Sequence, residues 1–249
     1  MTATKLGQMV GVSESTVVRF AIELGFDGYP AFQRAVQELV RVRLTPNQRI
    51  EVTNFRIGDK EALDNVMNAD IDKIKYTLEH MDRTAFSNAV QAVLRAKHIY
   101  IIGVRSSAAL ASFLHFNLSL IFDNVKLVTP TSSSEVFEQI LDIDQNDVMF
   151  AISFPRYSTK IINAVKYAST RGASVVALTD SRTAPIAEWA THVLTAQSDM
   201  ASFVDSLAAP LSVINAMLVD VTRHREQEVK DRFDRLEHVW DEYEVYAKR

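Results

Sequence analysis

Between residues 98 and 196 five short apolar runs recur, separated by stretches with helical spacing. The runs are HIYIIGV (98–104), KLVT (126–129), DVMFAISF (147–154), SVVALTD (174–180) and HVLTA (192–196). They are continuous rather than alternating, which is the pattern of strands buried on both faces. The segments between them (106–122, 133–141, 158–171 and 184–190) read as helices. Apolar strands alternating with helices leave few solutions, and the simplest is an α/β fold with a five-stranded parallel sheet covered on both sides.

The flanks are different. Residues 1–44 read as helices only, the segment LTPNQRIEVTNFRIGDK (44–60) lacks clear periodicity and reads as a linker, and two helical stretches follow at about 61–81 and 84–96. From about residue 202 the chain is helical again and ends in RHREQEVKDRFDRLEHVWDEYEVYAKR, whose interspersed charges mark a solvated or partner-facing helix. The expected division is therefore 1–44, a linker at 45–60, and 61–249.

The N-terminal stretch GVSESTVVRFAIELGF (11–26) carries its own signature. Ser13 is placed to cap a helix, and Gly25 to end it. Val17, Phe20, Ala21 and Leu24 are spaced to share one apolar face, and the opposite face carries Ser15, Arg19 and Ile22, flanked by Thr16 and Glu23. Upstream, Leu6, Met9 and Val10 form a short apolar stripe before Gly11, whose lack of a side chain permits a tight turn. Downstream, Pro30 can open a third helix that buries Phe32, Val36, Leu39 and Val40. Helix, glycine turn, helix is the pattern of a helix-turn-helix, in which the first residues of the second helix meet base edges in the major groove. Ser13, Ser15, Thr16 and Arg19 suit that task, since arginine can grip guanine at two points and hydroxyls can donate or accept. Two packed amphipathic helices in an ordinary helical domain would look the same.

Charge leans the same way. Residues 1–50 hold six Lys/Arg against four Asp/Glu, a net of +2 on a chain whose total is −4, so the remainder carries −6. A weakly basic head on an acidic body fits a nucleic-acid contact at the head. The chain has no cysteine, hence no disulfide or thiol chemistry. No signal peptide is evident, and the most apolar run, FLHFNLSLIF (113–122), is too short and too polar to span a bilayer, so a cytoplasmic protein without membrane contact is expected.

Open parallel sheets bind ligands beyond the carboxyl ends of their strands. Three successive strand ends carry serines: GVRSSAAL (103–110) with Ser106 and Ser107, TPTSSSEV (129–136) with Ser132 and Ser133, and SFPRYSTK (153–160) with Ser153, Arg156, Tyr157 and Ser158. One such cluster is ordinarily a helix cap. Three on one sheet edge point to a polar ligand, and Arg105 and Arg156 turn the choice toward phosphate or carboxylate, with a surface ion pair as the other use of either arginine. The first loop is not a dinucleotide fingerprint, which needs three glycines. Catalytic and metal signals are thin: the six histidines lack ligand spacing, no nucleophile elbow or P-loop is present, and Glu135 and Glu138 read better as helix-surface carboxylates than as a base. No catalytic residue, metal or cofactor is therefore assigned.

SESTVVRFAIELGFDGYPAFQ (13–33) closely resembles the helix-turn-helix of the RpiR/MurR family of bacterial transcriptional regulators, and residues 96–196 resemble that family's sugar isomerase (SIS) domain, a three-layer α/β/α unit. The resemblance implies a regulator that binds a double-stranded operator and senses a phosphosugar or a related metabolite. It also implies a homodimer, or a pair of dimers, presenting two heads to a palindromic site. The family's first-loop serine falls on Ser107, and its S-x-S-G-x-T phosphate loop falls on SFPRYS, where Ser153 and Ser158 hold the first and last positions. Pro155 replaces the second serine, Arg156 replaces the glycine, and Arg105 stands where the first loop has another glycine. Proline removes a hydroxyl and an amide from the cradle, and arginine adds a charged fork in exchange. The family carries further helices ahead of this motif, which implies either a start placed late or a trimmed head, and the chain as given is expected to hold its operator less tightly than an extended form. A sugar-phosphate isomerase, or a SIS protein without DNA binding, are the alternatives.

Overall fold

The structure, a computed structural model, describes residues 1–33, 35–36, 45–57, 62–129, 132–199 and 204–246. The chain divides into two compact units, Met1–Val52 and Thr53–Arg249.

In the first unit α1 (Ala3–Val10) starts at Thr2, whose hydroxyl accepts from Lys5 N, and stops at Gly11, left-handed at φ 75°. The Val12 amide then bonds back to Gly7 O at 2.9 Å. A Cβ at Gly7 would stand 2.7 Å from Val12 O, so this turn closes only over a glycine. α2 (Glu14–Glu23) is capped by Ser13, as expected. It ends in a Schellman motif: Gly25 takes φ 86°, its amide bonds Ile22 O at 2.9 Å, and the Phe26 amide bonds Ala21 O at 3.1 Å. A helical run opens at residue 29 with Pro30 in its first turn.

The core of this unit is small: Ala3, Val17, Ala21 and Tyr29, with Leu6, Val18 and Phe32 packed against it. That corrects the expected faces. Met9, Val10, Phe20 and Leu24 are exposed, and so is Val36. The buried line of α2 runs through Val17 and Ala21, where small side chains let the helices approach, and Phe20 instead lies edge-on to Phe32 at 5.7 Å. Leu39 and Val40 fall outside the described residues.

The segment read as a linker holds a helix, α3 (Pro46–Ile57). Its start is a reciprocal capping box: Thr45 N donates to Gln48 Oε1 at 2.9 Å and Gln48 N to Thr45 Oγ1 at 3.4 Å, with Pro46 in the first turn.

In the second unit α4 (Ala62–His80) and α5 (Arg83–Arg95) precede the sheet. The strands are β1 (Ile99–Gly103), β2 (Val125–Val128), β3 (Val148–Ile152), β4 (Ser174–Thr179) and β5 (His192–Thr195), all parallel, in the order β2-β1-β3-β4-β5. Between them run α6 (Ser107–Ser119), α7 (Ser133–Gln139), α8 (Thr159–Thr170) and a 3₁₀ turn (Ala187–Trp189); α9 (Ala208–His224) and α10 (Glu226–Glu242) follow.

Successive strand residues feed opposite cores. Ile99, Ile101, Phe150 and Val176 pack with α5, α6 and α9. Tyr100, Ile102, Met149 and Val175 pack with α7 and α8. This is the expected three-layer sandwich, and it explains the continuous apolar runs. At the amino edge the buried Asp147 accepts from His98 N (3.1 Å) and Asp144 N (2.9 Å) and meets His98 Nδ1 at 2.9 Å, pinning the start of β1 to the start of β3. Among the described residues no helix is long and apolar enough to cross a membrane.

Candidate functional site

The strand order places a crevice. From β1 the chain crosses through α6 on one face of the sheet, and from β3 it crosses through α8 on the other. The two connections diverge, and the gap at the carboxyl ends of β1 and β3 is the topological switch point where open sheets take ligands. Gly103 pairs with Ile152 at this edge, so the loops that follow lie side by side. The loop with Ser106 and Ser107 and the loop with Ser153, Arg156, Tyr157 and Ser158 therefore leave the sheet from adjacent strand ends.

Ser107 and Ser153 are only 4% and 3% exposed. Among the described residues neither hydroxyl is hydrogen-bonded, yet both keep a little solvent access. Each hydroxyl thus sits in an otherwise buried residue with its oxygen open to solvent, where it is free to bond a bound group. Ser106 and Ser158 occupy the N-cap positions of α6 and α8, but neither side chain caps its helix. The first bonds of α6 are Ala108 N to Arg105 O and Ala109 N to Ser106 O, so the Ser107 amide remains available at the positive end of the helix.

Both arginines are left-handed: Arg105 at φ 58° and Arg156 at φ 65°. The backbone keeps the glycine-type conformation while the residue is arginine. Left-handed backbone costs a side-chain-bearing residue roughly 1–2 kcal/mol. Both side chains are exposed, and among the described residues neither makes an ion pair, so the ordinary use of a surface arginine is not the one seen. Tyr157 is anchored, its hydroxyl donating to Asp180 Oδ1 at 2.8 Å beyond β4.

The loop after β2 is a cap. Ser132 accepts from Glu135 N at 3.3 Å and its amide donates to Glu135 Oε2 at 3.2 Å, a full capping box, and its hydroxyl lies 3.1 Å from that of Ser134. Ser133 opens α7. Glu135 is held in this cap, away from the role of a free base.

On the head, Ser13, Ser15, Thr16 and Arg19 are all exposed on α2. Ser13 Oγ is engaged at 2.8 Å by both Ser15 Oγ and Thr16 Oγ1 and accepts from Thr16 N at 3.2 Å, so it holds the helix start. Thr4 Oγ1 donates to Glu14 Oε2 at 2.7 Å and ties α1 to α2. Arg19 has no ion-pair partner among the described residues.

The sequence pattern of the SIS domain matches residues 93–220, the segment that builds the sheet and its covering helices. The chain belongs to the SIS domain family. Its similarity extends into the head: HexR of Escherichia coli, an HTH-type transcriptional regulator, is 25% identical over 93% of this chain and 80% of its own length. The sugar isomerase domain of an RpiR transcription factor from Sphaerobacter thermophilus is 27% identical over 70% of this chain and 97% of that one, with a TM-score of 0.67. The Vibrio vulnificus NanR protein complexed with ManNAc-6P shares the fold over 100% of this chain and 88% of its own, with a TM-score of 0.65 at 22% identity. Sugar-phosphate isomerases share the fold too. Two further curated regulators match over 74% and 77% of this chain, which spans 66% of the length of each. The RpiR/MurR resemblance of the sequence is upheld.

Proposed function

We propose that this SIS protein is a cytoplasmic, DNA-binding transcriptional regulator whose crevice senses a phosphosugar or a related anionic metabolite. The observation that carries the reading is the pair of nearly buried serines, Ser107 and Ser153, at the switch point beside two left-handed arginines that make no ion pair among the described residues, in a chain that also carries a helix-turn-helix. The hydroxyls and the α6 amide would take the phosphate, and Arg156 and Arg105 would replace the contacts that the glycine loop of the family supplies. NanR, complexed with ManNAc-6P, supports the phosphosugar class.

Ser15, Thr16 and Arg19 would meet the operator, with Ser13 fixing the helix that carries them. A homodimer would present two such helices to a palindromic site. The effector must bind one state of the dimer better than the other for DNA affinity to respond. An isomerase would need a positioned base at the crevice; of the two carboxylates named from sequence, Glu135 and Glu138, the first is tied into a cap. Phosphorus NMR of a sugar-phosphate panel separates the readings. Broadening without new resonances is expected; new resonances growing with time would make the protein an enzyme.

A further inference from the structure

Arg156 keeps a strained backbone, and a strained residue persists only where its surroundings fix it. Upstream the loop is fixed by burial. Phe154 is packed into the core shared with α5, α6 and α9, Pro155 is buried after it, and Ser153 N donates to Leu178 O of β4 at 3.1 Å. Downstream, the start of α8 gives no such hold, because the Ser158 side chain does not cap it. The hold there is Tyr157, whose hydroxyl donates to Asp180 Oδ1 at 2.8 Å across 23 residues of sequence. Asp180 is itself a fixed post. It follows directly on β4, and the fully buried Thr179 donates its hydroxyl to the same oxygen at 3.2 Å. Thr179 O in turn accepts from Ala196 N at 2.8 Å, at the end of β5.

We propose that Asp180 is a positioning residue of the crevice: through Tyr157 its carboxylate holds Arg156 left-handed, and with it the loop that takes the anionic effector. Arg156 stands directly between two anchors, Pro155 and Tyr157, so both set its backbone. Pro155 is held by the core, whereas Tyr157 is held by a bond that one atom can remove. Bonds to a carboxylate are the stronger kind, which suits a tether that must hold a strained neighbour. A carboxylate also repels an anion, so Asp180 acts on the effector through Tyr157 rather than by touching it. The inference rests on the proposed sensor and adds to its crevice a residue from the far side of β4.

Two measurements on the full chain test this, one without ligand and one with it. Urea unfolding reads the strain. Arg156→Gly is expected to be more stable than Arg156→Ala in the otherwise wild-type chain. With Tyr157→Phe added the order should reverse, because the untethered loop has relaxed and only glycine's extra freedom when unfolded remains. Phosphorus titration with inorganic phosphate and with ManNAc-6P, the compound bound to NanR, reads the site. Tyr157→Phe is expected to lower affinity about 5- to 30-fold, the drop in competent fraction when the left-handed form is no longer held. Asp180→Ala should match it, and Asp180→Asn, which keeps an acceptor for Tyr157, should recover most of the affinity. In an Arg156→Ala background Tyr157→Phe should cost no further affinity, a coupling that general loosening of the fold would not produce. The same stability order in both backgrounds overturns the inference, and so do additive affinity losses. A wild type that binds neither probe counts against the sensor reading, while the unfolding comparison still decides the tether.

Discussion

Replacing Arg156 by glycine should make the protein more stable and its ligand binding weaker, two effects of opposite sign from one change. Arg156 sits at φ 65°. An L-residue there bears roughly 1–2 kcal/mol that glycine does not. Glycine returns about 0.5–1 kcal/mol of this through the greater freedom of the unfolded chain. The net gain is then roughly 0–1.5 kcal/mol, each 1 kcal/mol being a rise in Tm of about 2–4 °C for a chain of this size. The lost guanidinium works against the ligand. A hydrogen bond to a charged group contributes about 1.5–3 kcal/mol, so affinity should fall roughly 10- to 150-fold. Arg156→Ala is the control: it keeps the left-handed strain and drops the fork, so its stability should stay within about 0.5 kcal/mol of wild type while affinity falls as far as in the glycine variant. Urea unfolding gives the first quantity, and phosphorus titration with a panel member that binds the wild type gives the second. If Arg156→Gly proved less stable than Arg156→Ala, the strain argument would be wrong. Unchanged affinity in both would remove Arg156 from the site.

Three further expectations follow from named contacts. A Cβ at Gly103 would meet Ser107 O at 2.6 Å and Ala111 Cβ at 3.0 Å, so Gly103→Ala should cost about 1–3 kcal/mol of stability and also weaken the ligand by displacing the first turn of α6; unfolding curves matching wild type would sink this. Arg19 is exposed and unpaired among the described residues, so Arg19→Ala should leave stability within about 0.5 kcal/mol but cost roughly 1–3 kcal/mol of operator affinity if it reads a base. A loss uniform over all sequences in a salt titration would mark a phosphate contact instead. Burial lowers the pKa of His192 below its ordinary 6.5. The folded state thus resists the proton, so its contribution is intact above 6.5 and declines as pH falls toward the lowered value; His192→Gln should flatten the melting profile between about pH 7.5 and 5.5, and parallel profiles would refute it.

The sheet was legible because a doubly covered strand has no polar face to confuse the pattern: four of the five apolar runs contain a whole strand, and KLVT misses only the first residue of β2, Val125. The Ser13 cap and Gly25 stop were legible because both are local chemistry. The faces of the head were not. Periodicity says which residues share a side, but Ala3, Gly7 and Ala21 decide how closely the helices approach, and close approach leaves Phe20 and Leu24 outside. α3 was missed by its weak apolar period, although Thr45–Pro46–Asn47–Gln48 spelled its capping box. At the crevice the serines could be named from sequence. That Arg105 and Arg156 keep the backbone of the glycines they replace could not, since φ is a property of the folded loop.

The clasp between His98 and Asp147 joins residues 49 apart in the chain, and β1 cannot be flanked on both sides until β3 has been made. The small core of the head closes within residues 1–32, with Tyr29 reaching back to Met1 O. Rates of folding follow the separation of the contacts that must form. On a ribosome the head can therefore complete itself while β1 of the body still waits for β3. During that interval the apolar β1 keeps its β3-facing edge unpaired, the kind of exposed strand edge that chaperones shield.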